Sequence, residues 1–280
     1  MPDKFPSGQA PELRGAQDFS VRAFGCRIQI ETACAEAYAV LERYVLPSLP
    51  RTACDTQPDA LEPGISIRID TQEDQLQLSV DGVAVASAAQ AIDLVPDLIR
   101  VLDDAVLNHL KSLHAVHAGV VLCGDRAVLL PGVTHAGKSS LVAEFLRRGA
   151  TYFSDEFALI DPEGRVHPYP RPLLLRNGRP RQVPVLPGEF NAPVGDAPAP
   201  IGWILSLEYQ PSSTWNVKPV SQSEGLLILL RNTPHILVDS PDMIAVFQRA
   251  VADARCYVGS RAEAAQAADQ ILRLVAGRPA

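Results

Sequence analysis

The segment Gly132-Val133-Thr134-His135-Ala136-Gly137-Lys138-Ser139 restricts the fold of this 280-residue chain more than any other. It matches G-x-x-x-x-G-K-[ST] at every defined position, and at average amino-acid usage such a match arises by chance in roughly one chain in a hundred of this length. The apolar run 127–130 precedes it, and Leu141, Val142, Phe145 and Leu146 follow at helical spacing, so strand, glycine loop and helix stand in order. Glycines let backbone N–H groups turn inward around phosphate oxygens, and the N-terminus of the following helix adds the positive end of its dipole. The spacing therefore predicts a nucleotide site made by Gly132, Val133, Thr134, His135, Ala136, Gly137, Lys138, Ser139 and Ser140. Lys138 is expected to reach the β and γ phosphates, and the Ser139 hydroxyl to reach Mg²⁺. Many such loops carry glycine where this one has His135, whose side chain either crowds the loop or touches the γ phosphate.

Two further groups converge on this loop. Residues 118–122 and 127–130 read as strands joined by Cys123-Gly124-Asp125-Arg126, with Gly124 at the position that needs positive φ. With Gly124 and Asp125 as a two-residue loop, Leu122 pairs with Ala127 and Gly119 with Leu130, which sets His117 beside Gly132. Downstream, residues 150–154 read as a short strand ending at Asp155-Glu156, where an open α/β sheet presents catalytic residues. One carboxylate there is suited to accept a proton from an acceptor hydroxyl while its neighbour holds Mg²⁺, directly or through water.

His117-Ala-Gly-Val-Val, the loop 132–139, Arg147-Arg148-Gly149-Ala150 and Ser154-Asp155-Glu156 together resemble the HPr kinase/phosphorylase family, and more closely its HPr-kinase-related members. The intervals resemble the family's as well: 21 positions from His117 to Lys138 and 17 from Lys138 to Asp155. The likeness is specific over residues 114–175. It implies an α/β fold with a P-loop kinase core of the HPr kinase/phosphoenolpyruvate carboxykinase type. It also implies ATP-dependent, Mg²⁺-assisted phosphorylation of a serine hydroxyl, and assembly into homo-oligomers. On this resemblance Asp155 falls on the general base, His117 on the active-site histidine, and Glu156 replaces a second Asp as metal ligand beside Ser139. The chain has no counterpart of the family's C-terminal signature for HPr docking and the reverse phosphorylase reaction. The expected acceptor is therefore a peptide or small protein other than HPr, such as the precursor of a lasso peptide or another natural product. A small hydroxyl-bearing metabolite and a nucleotide-sensing binding protein are the alternatives.

The rest of the sequence sets the frame. The first 18 residues are rich in Pro and Gly and read as disordered; 19–113 read as a small α/β region without likeness to the HPr-kinase regulatory domain, and 114–280 as the kinase domain. In the first region a strand is expected over 21–30, a helix over 33–46, a meander of strands over 65–69, 76–80 and 83–86, and an amphipathic helix over 97–113. In the second, the turn Asp161-Pro162-Glu163-Gly164 should join strands 157–160 and 166–169. A strand is expected over 203–207, with helices over 226–231, opened by a Ser221/Glu224 capping box, over 240–254 with Met243, Ile244, Phe247 and Val251 inward, and over 261–275.

A formal charge of −7 argues against a general binder of nucleic acid or anionic membrane, and no apolar run is long enough to span a bilayer. Five scattered cysteines without a C-x-x-C pair read as reduced, mostly buried thiols, and the start lacks a signal-peptide core, so the expected location is cytoplasmic. Against this acidic background, residues 164–188 hold five arginines and no Asp or Glu. Residues 161–200 also hold ten prolines, which excludes a regular helix or a central strand. Within this segment Arg171 and Arg176 flank Leu173–Leu175 and are candidates for binding phosphate or acceptor.

Overall fold

A computed structural model describes residues 17–48, 64–132, 137–176, 178, 181–234 and 242–277. The protein is mixed α/β with several sheets, and the chain divides into two compact units, Met1–His109 and Leu110–Ala280.

The first unit holds a five-stranded sheet. β1 (Gln17–Ala23) and β2 (Cys26–Thr32) form a hairpin, β2 runs parallel to β3 (Ile65–Gln72), and β4 (Gln75–Val80) and β5 (Val83–Ala88) complete an antiparallel meander. The alternation of Ile67, Ile69, Leu76 and Leu78 puts one face of the sheet in the core. A helical stretch, α1 (Ala35–Val40) extended by tighter and wider turns to Ser48, follows β2, and α2 (Val95–His109) buries Leu98, Leu102 and Val106. Two expectations change here. The strand expected over 21–30 is broken by a turn at Phe24–Gly25, because two strands joined by so short a turn keep an almost unbroken alternation. The helix expected over 97–113 starts earlier and stops at His109, leaving Leu110 and Leu113 outside it. Gln17 and Asp18, expected to be disordered, pair with Thr32 and Glu31, which ties that end into the sheet.

The second unit is built on an eight-stranded mixed sheet. β6 (His114–Cys123) and β7 (Arg126–Pro131) form the expected hairpin; Leu122 faces Ala127, Gly119 faces Leu130, and Gly124 has φ +68°. α3 (Lys138–Arg147), β8 (Thr151–Ser154), β9 (Phe157–Ile160) and β10 (Arg165–His167) follow. A small separate hairpin, β11 (Leu173–Leu175) and β12 (Val183–Val185), then leads to the long central strand β13 (Ala199–Tyr209). β14 (Asn216–Val220), α4 (Gln222–Arg231), α5 (Met243–Ala252), β15 (Arg255–Arg261) and α6 (Ala264–Val275) complete the unit. The strand order is β10-β9-β6-β7-β13-β15-β14, and β10 also pairs with β13, so the first five strands close into a ring.

Successive strand residues point to opposite faces, and both faces are covered. Val116, Ala118, Val120, Ala127 and Leu129 pack with Leu229 of α4 and Phe247 of α5. Val121, Val128 and Leu130 pack with Phe145 of α3, Ile271 of α6 and Leu173 of the small hairpin. Burial on both sides explains why these strands read as continuous apolar runs. The Ser221/Glu224 capping box is present. The helix expected over 240–254 is described from Met243, and its Ile244 is exposed rather than inward. Residues 261–275 are not one helix: Arg261 ends β15, whose parallel pairing with β13 captures it, and α6 begins at Ala264. β14 and β15 have no counterpart in the sequence reading, and the strand expected over 203–207 extends to Ala199–Tyr209. Among the described residues four cysteines are free thiols, of which Cys26 and Cys256 are buried.

Candidate functional site

The site forms where β6 exchanges one neighbour for another. Val120 is opposite Ser154 of β8, whereas His117 is opposite Phe157 of β9, and the residues between, Asp155 and Glu156, bend out of the pairing. The Ser154 hydroxyl, wholly buried, accepts from the backbone N–H groups of Glu156 and Phe157, and the Glu156 carbonyl accepts from Ala118 N–H at 2.9 Å. The bend is thereby fixed, and the two carboxylates leave it in different surroundings. On the other side of β6, Gly132 N–H donates to the His117 carbonyl at 3.2 Å, so the start of the glycine loop lies one strand away.

Residues Val133, Thr134, His135 and Ala136 lie outside the described residues. Gly132, Gly137, Lys138, Ser139 and Ser140 are placed. Gly137 precedes α3 with φ +76°, a conformation that favours glycine, and Leu141 N–H donates to its carbonyl as the helix begins. The Lys138 ammonium donates to the Gly132 carbonyl at 2.9 Å, which spans the loop from end to end. Burial pushes the Lys138 pKa down, and Glu156 and Asp155 partly restore it.

Asp155 is fully buried. Its Oδ1 lies 3.3 Å from Arg171 Nε and 3.3 Å from the Tyr152 hydroxyl, whose single proton is shared with the Arg171 carbonyl at 2.9 Å. Among the described residues its Oδ2 has no aligned hydrogen-bond partner. Burial raises the Asp155 pKa, with Arg171 opposing and Glu156 adding to the shift, while the Ser139 and Tyr152 hydroxyls pull it down. Glu156 is shifted the other way: burial pushes it up, but His117, Arg171 and Lys138 together outweigh burial and hold it below its usual range. His117 Nδ1 is 3.3 Å from Glu156 Oε1, an electrostatic contact without hydrogen-bond alignment, and its ring leans on Phe157. Two adjacent carboxyl groups pushed apart in pKa are an arrangement in which one can exchange a proton while the other keeps its charge.

A cleft of about 260 Å³ opens over this cluster, lined by Gly137, Lys138, Ser139, Ser140, Glu156, Leu174, Leu175, Arg176 and Gln182. The candidate residues Lys138, Ser139, Ser140 and Glu156 thus share one wall system, whereas Asp155 does not line it and is fully buried, in reach of Ser139. The two arginines part company. Arg171 is buried against both carboxylates, 3.6 Å from Glu156 Oε2, whereas Arg176 is exposed in the cleft. Ser139 and Glu156 offer two oxygen donors to a cation, and no cluster of three His, Cys, Asp or Glu occurs among the described residues.

Two contributors escaped sequence reading. Tyr152 alternates inward in β8 and gave only a core signal. Arg261, buried at the end of β15, donates from Nη2 to the Gly137 carbonyl at 3.1 Å and from Nη1 to the Ala262 carbonyl at 3.0 Å, with its guanidinium over the Tyr209 ring. It braces the glycine loop from 124 residues away. The alternation of Cys256 and Val258 was the available sign of its strand. None of the described helices is long and apolar enough to cross a membrane. No protein-family model matches the chain, and no curated protein matches it.

Proposed function

We propose that this protein is a P-loop kinase of the HPr-kinase-related type that transfers the γ-phosphoryl group of ATP, with Mg²⁺, to a serine hydroxyl of a peptide or small protein. The observation that carries the reading is the buried carboxylate Asp155, with one oxygen lacking an aligned hydrogen-bond partner among the described residues, in reach of Ser139 in the cleft that holds Lys138 and the N-terminus of α3. A buried carboxylate that makes no aligned hydrogen bond at Oδ2, with the Ser139 hydroxyl in reach, fits an incoming hydroxyl, whose proton it can accept. Its raised pKa makes Asp155 the better base of the pair.

The residues also fit the nucleotide and its metal. The first turn of α3 offers backbone N–H groups and its dipole to phosphate oxygens, and Lys138 adds a positive charge in a setting where burial strengthens its attraction. Ser139 and Glu156 would hold Mg²⁺, which usually takes one or two protein oxygens and completes its shell with phosphate and water. The metal, when bound, neutralises charge on the phosphates. Glu156 stays anionic, as a metal ligand must, and His117 helps to keep it so. Arg171 balances both carboxylates, Ser154 fixes their bend, and Arg261 holds the loop carbonyl in place.

The test is transfer of label from γ-labelled ATP to a pool of serine-containing peptides. Asp155→Asn should retain nucleotide binding and lose roughly 10²–10⁴-fold in transfer rate, the usual contribution of a general base. Lys138→Ala should lose nucleotide turnover. Unchanged transfer by Asp155→Asn would remove the proposed base.

A further inference from the structure

The small hairpin carries a pair of side chains that phosphoryl transfer itself does not use. Leu173 pairs with Val185, Leu174 with Pro184 and Leu175 with Val183, and continuing that register sets Arg176 across from Gln182. Both line the cleft. Other arginines of this basic segment are committed: Arg165 to Asp161 and Glu163, and Arg171 to Asp155 and Glu156. Arg176 is exposed and has no ion pair with a described residue, and residues 164–188 contain no carboxylate that could neutralise it locally. Gln182 donates only a long contact, 3.4 Å, to the Leu174 carbonyl. Arg176 and Gln182 come from the hairpin side of the cleft wall, with Leu174 and Leu175, and not from the glycine loop and α3 that carry Gly137, Lys138 and Ser139.

We propose that Arg176 and Gln182 bind a carboxylate of the acceptor, so that the phosphorylated serine is one with Asp or Glu close by in its sequence. The inference rests on the kinase reading above. A guanidinium fork takes a carboxylate through two parallel N–H bonds, and the neighbouring amide supplies a third donor. Phosphate oxygens already have Lys138 and the α3 N-terminus, so the Arg176 fork on the hairpin side is left for the second substrate. An extended peptide advances about 3.3 Å per residue, so an acidic residue within three positions of the serine lies within about 10 Å of it, the reach that the probes below sample.

The probes are ten-residue peptides with a single serine and Asp at the three positions on one or the other side, and their Asn counterparts. With the full-length protein, the Asp peptides should be phosphorylated with at least about tenfold higher kcat/KM than the Asn peptides, as for a charge-assisted bond. Arg176→Gln should bring that ratio close to one, and Arg176→Lys should recover part of it because it keeps the charge but loses the fork. A rise in KM for ATP with an unchanged Asp-to-Asn ratio would assign Arg176 to the nucleotide and overturn the proposal. Equal use of Asp and Asn peptides by the wild type would overturn it too. Fluorescence anisotropy with serine-to-alanine versions of the peptides separates the two readings. Preferential binding of the Asp form that Arg176→Gln abolishes, without phosphorylation of any serine peptide, would keep the carboxylate site and reject the kinase. Absence of both binding and phosphorylation would reject both.

Discussion

Arg171 is the residue whose removal most directly tests the electrostatics of the site. Its Nε is 3.3 Å from Asp155 Oδ1 and its Nη2 is 3.6 Å from Glu156 Oε2, with the arginine and Asp155 both buried. At an effective dielectric of about 20, each contact is worth about 5 kcal/mol of gross attraction, most of it offset by the cost of burying the charges. Arg171→Met keeps the volume and removes the cation, leaving the buried Asp155 carboxyl and the part-buried Glu156 carboxyl to repel each other. Breaking a buried pair in this way costs about 3–5 kcal/mol. The cost should depend on pH with a definite sign. Without Arg171, burial and the neighbouring Glu156 raise the folded-state pKa of Asp155 further above its unfolded value of about 3.9. A group with a raised folded pKa contributes stability below its unfolded pKa and loses it as pH rises through the folded one. The variant should therefore be least impaired near pH 4 and progressively more so toward pH 8, as measured by urea unfolding of both proteins across that range. The acid limb of the pH–rate profile should also move to higher pH, because Arg171 opposes the upward shift of Asp155. A loss below about 1 kcal/mol, or a loss that does not vary with pH, would refute the ion-pair account.

Two further substitutions test the supports of the site. Gly137→Ala places a side chain at φ +76° with its Cβ 2.7 Å from Arg261 Nη2, so it should cost about 1–3 kcal/mol and weaken ATP binding. Adding Arg261→Ala should relieve the clash without restoring binding, as followed by calorimetric titration with ATP. Ser221→Ala removes the side chain that accepts from Glu224 N–H at the start of α4 and should lower stability by about 1 kcal/mol in urea unfolding, with the transfer rate unchanged.

Local patterns were legible in the sequence where neighbours in the chain dictate the geometry. The two-residue loop at Gly124–Asp125 fixes the β6–β7 register, because a tight turn leaves one pairing, and that register brings His117 alongside Gly132. Gly137-Lys138-Ser139 at the head of an apolar helical repeat, the Ser221/Glu224 box and the placement of Asp155-Glu156 after β8 depend on spacings of a few residues in the same way. The tertiary structure decided what those residues meet. That the pKa values of Asp155 and Glu156 are shifted in opposite directions follows from which of them is fully buried and which one has His117, Arg171 and Lys138 around it. That Arg171 balances charge inside while Arg176 stands in the cleft depends on how the small hairpin packs against α3, although only four residues separate them in a segment of uniform composition. Arg261 reaches Gly137 only because β15 pairs in parallel beside β13, a contact between distant parts of the chain. Spacing fixes a turn or a cap because the interacting groups are covalently tethered; burial and long-range pairing are set by the whole packed sheet, and these assign each charge its partner.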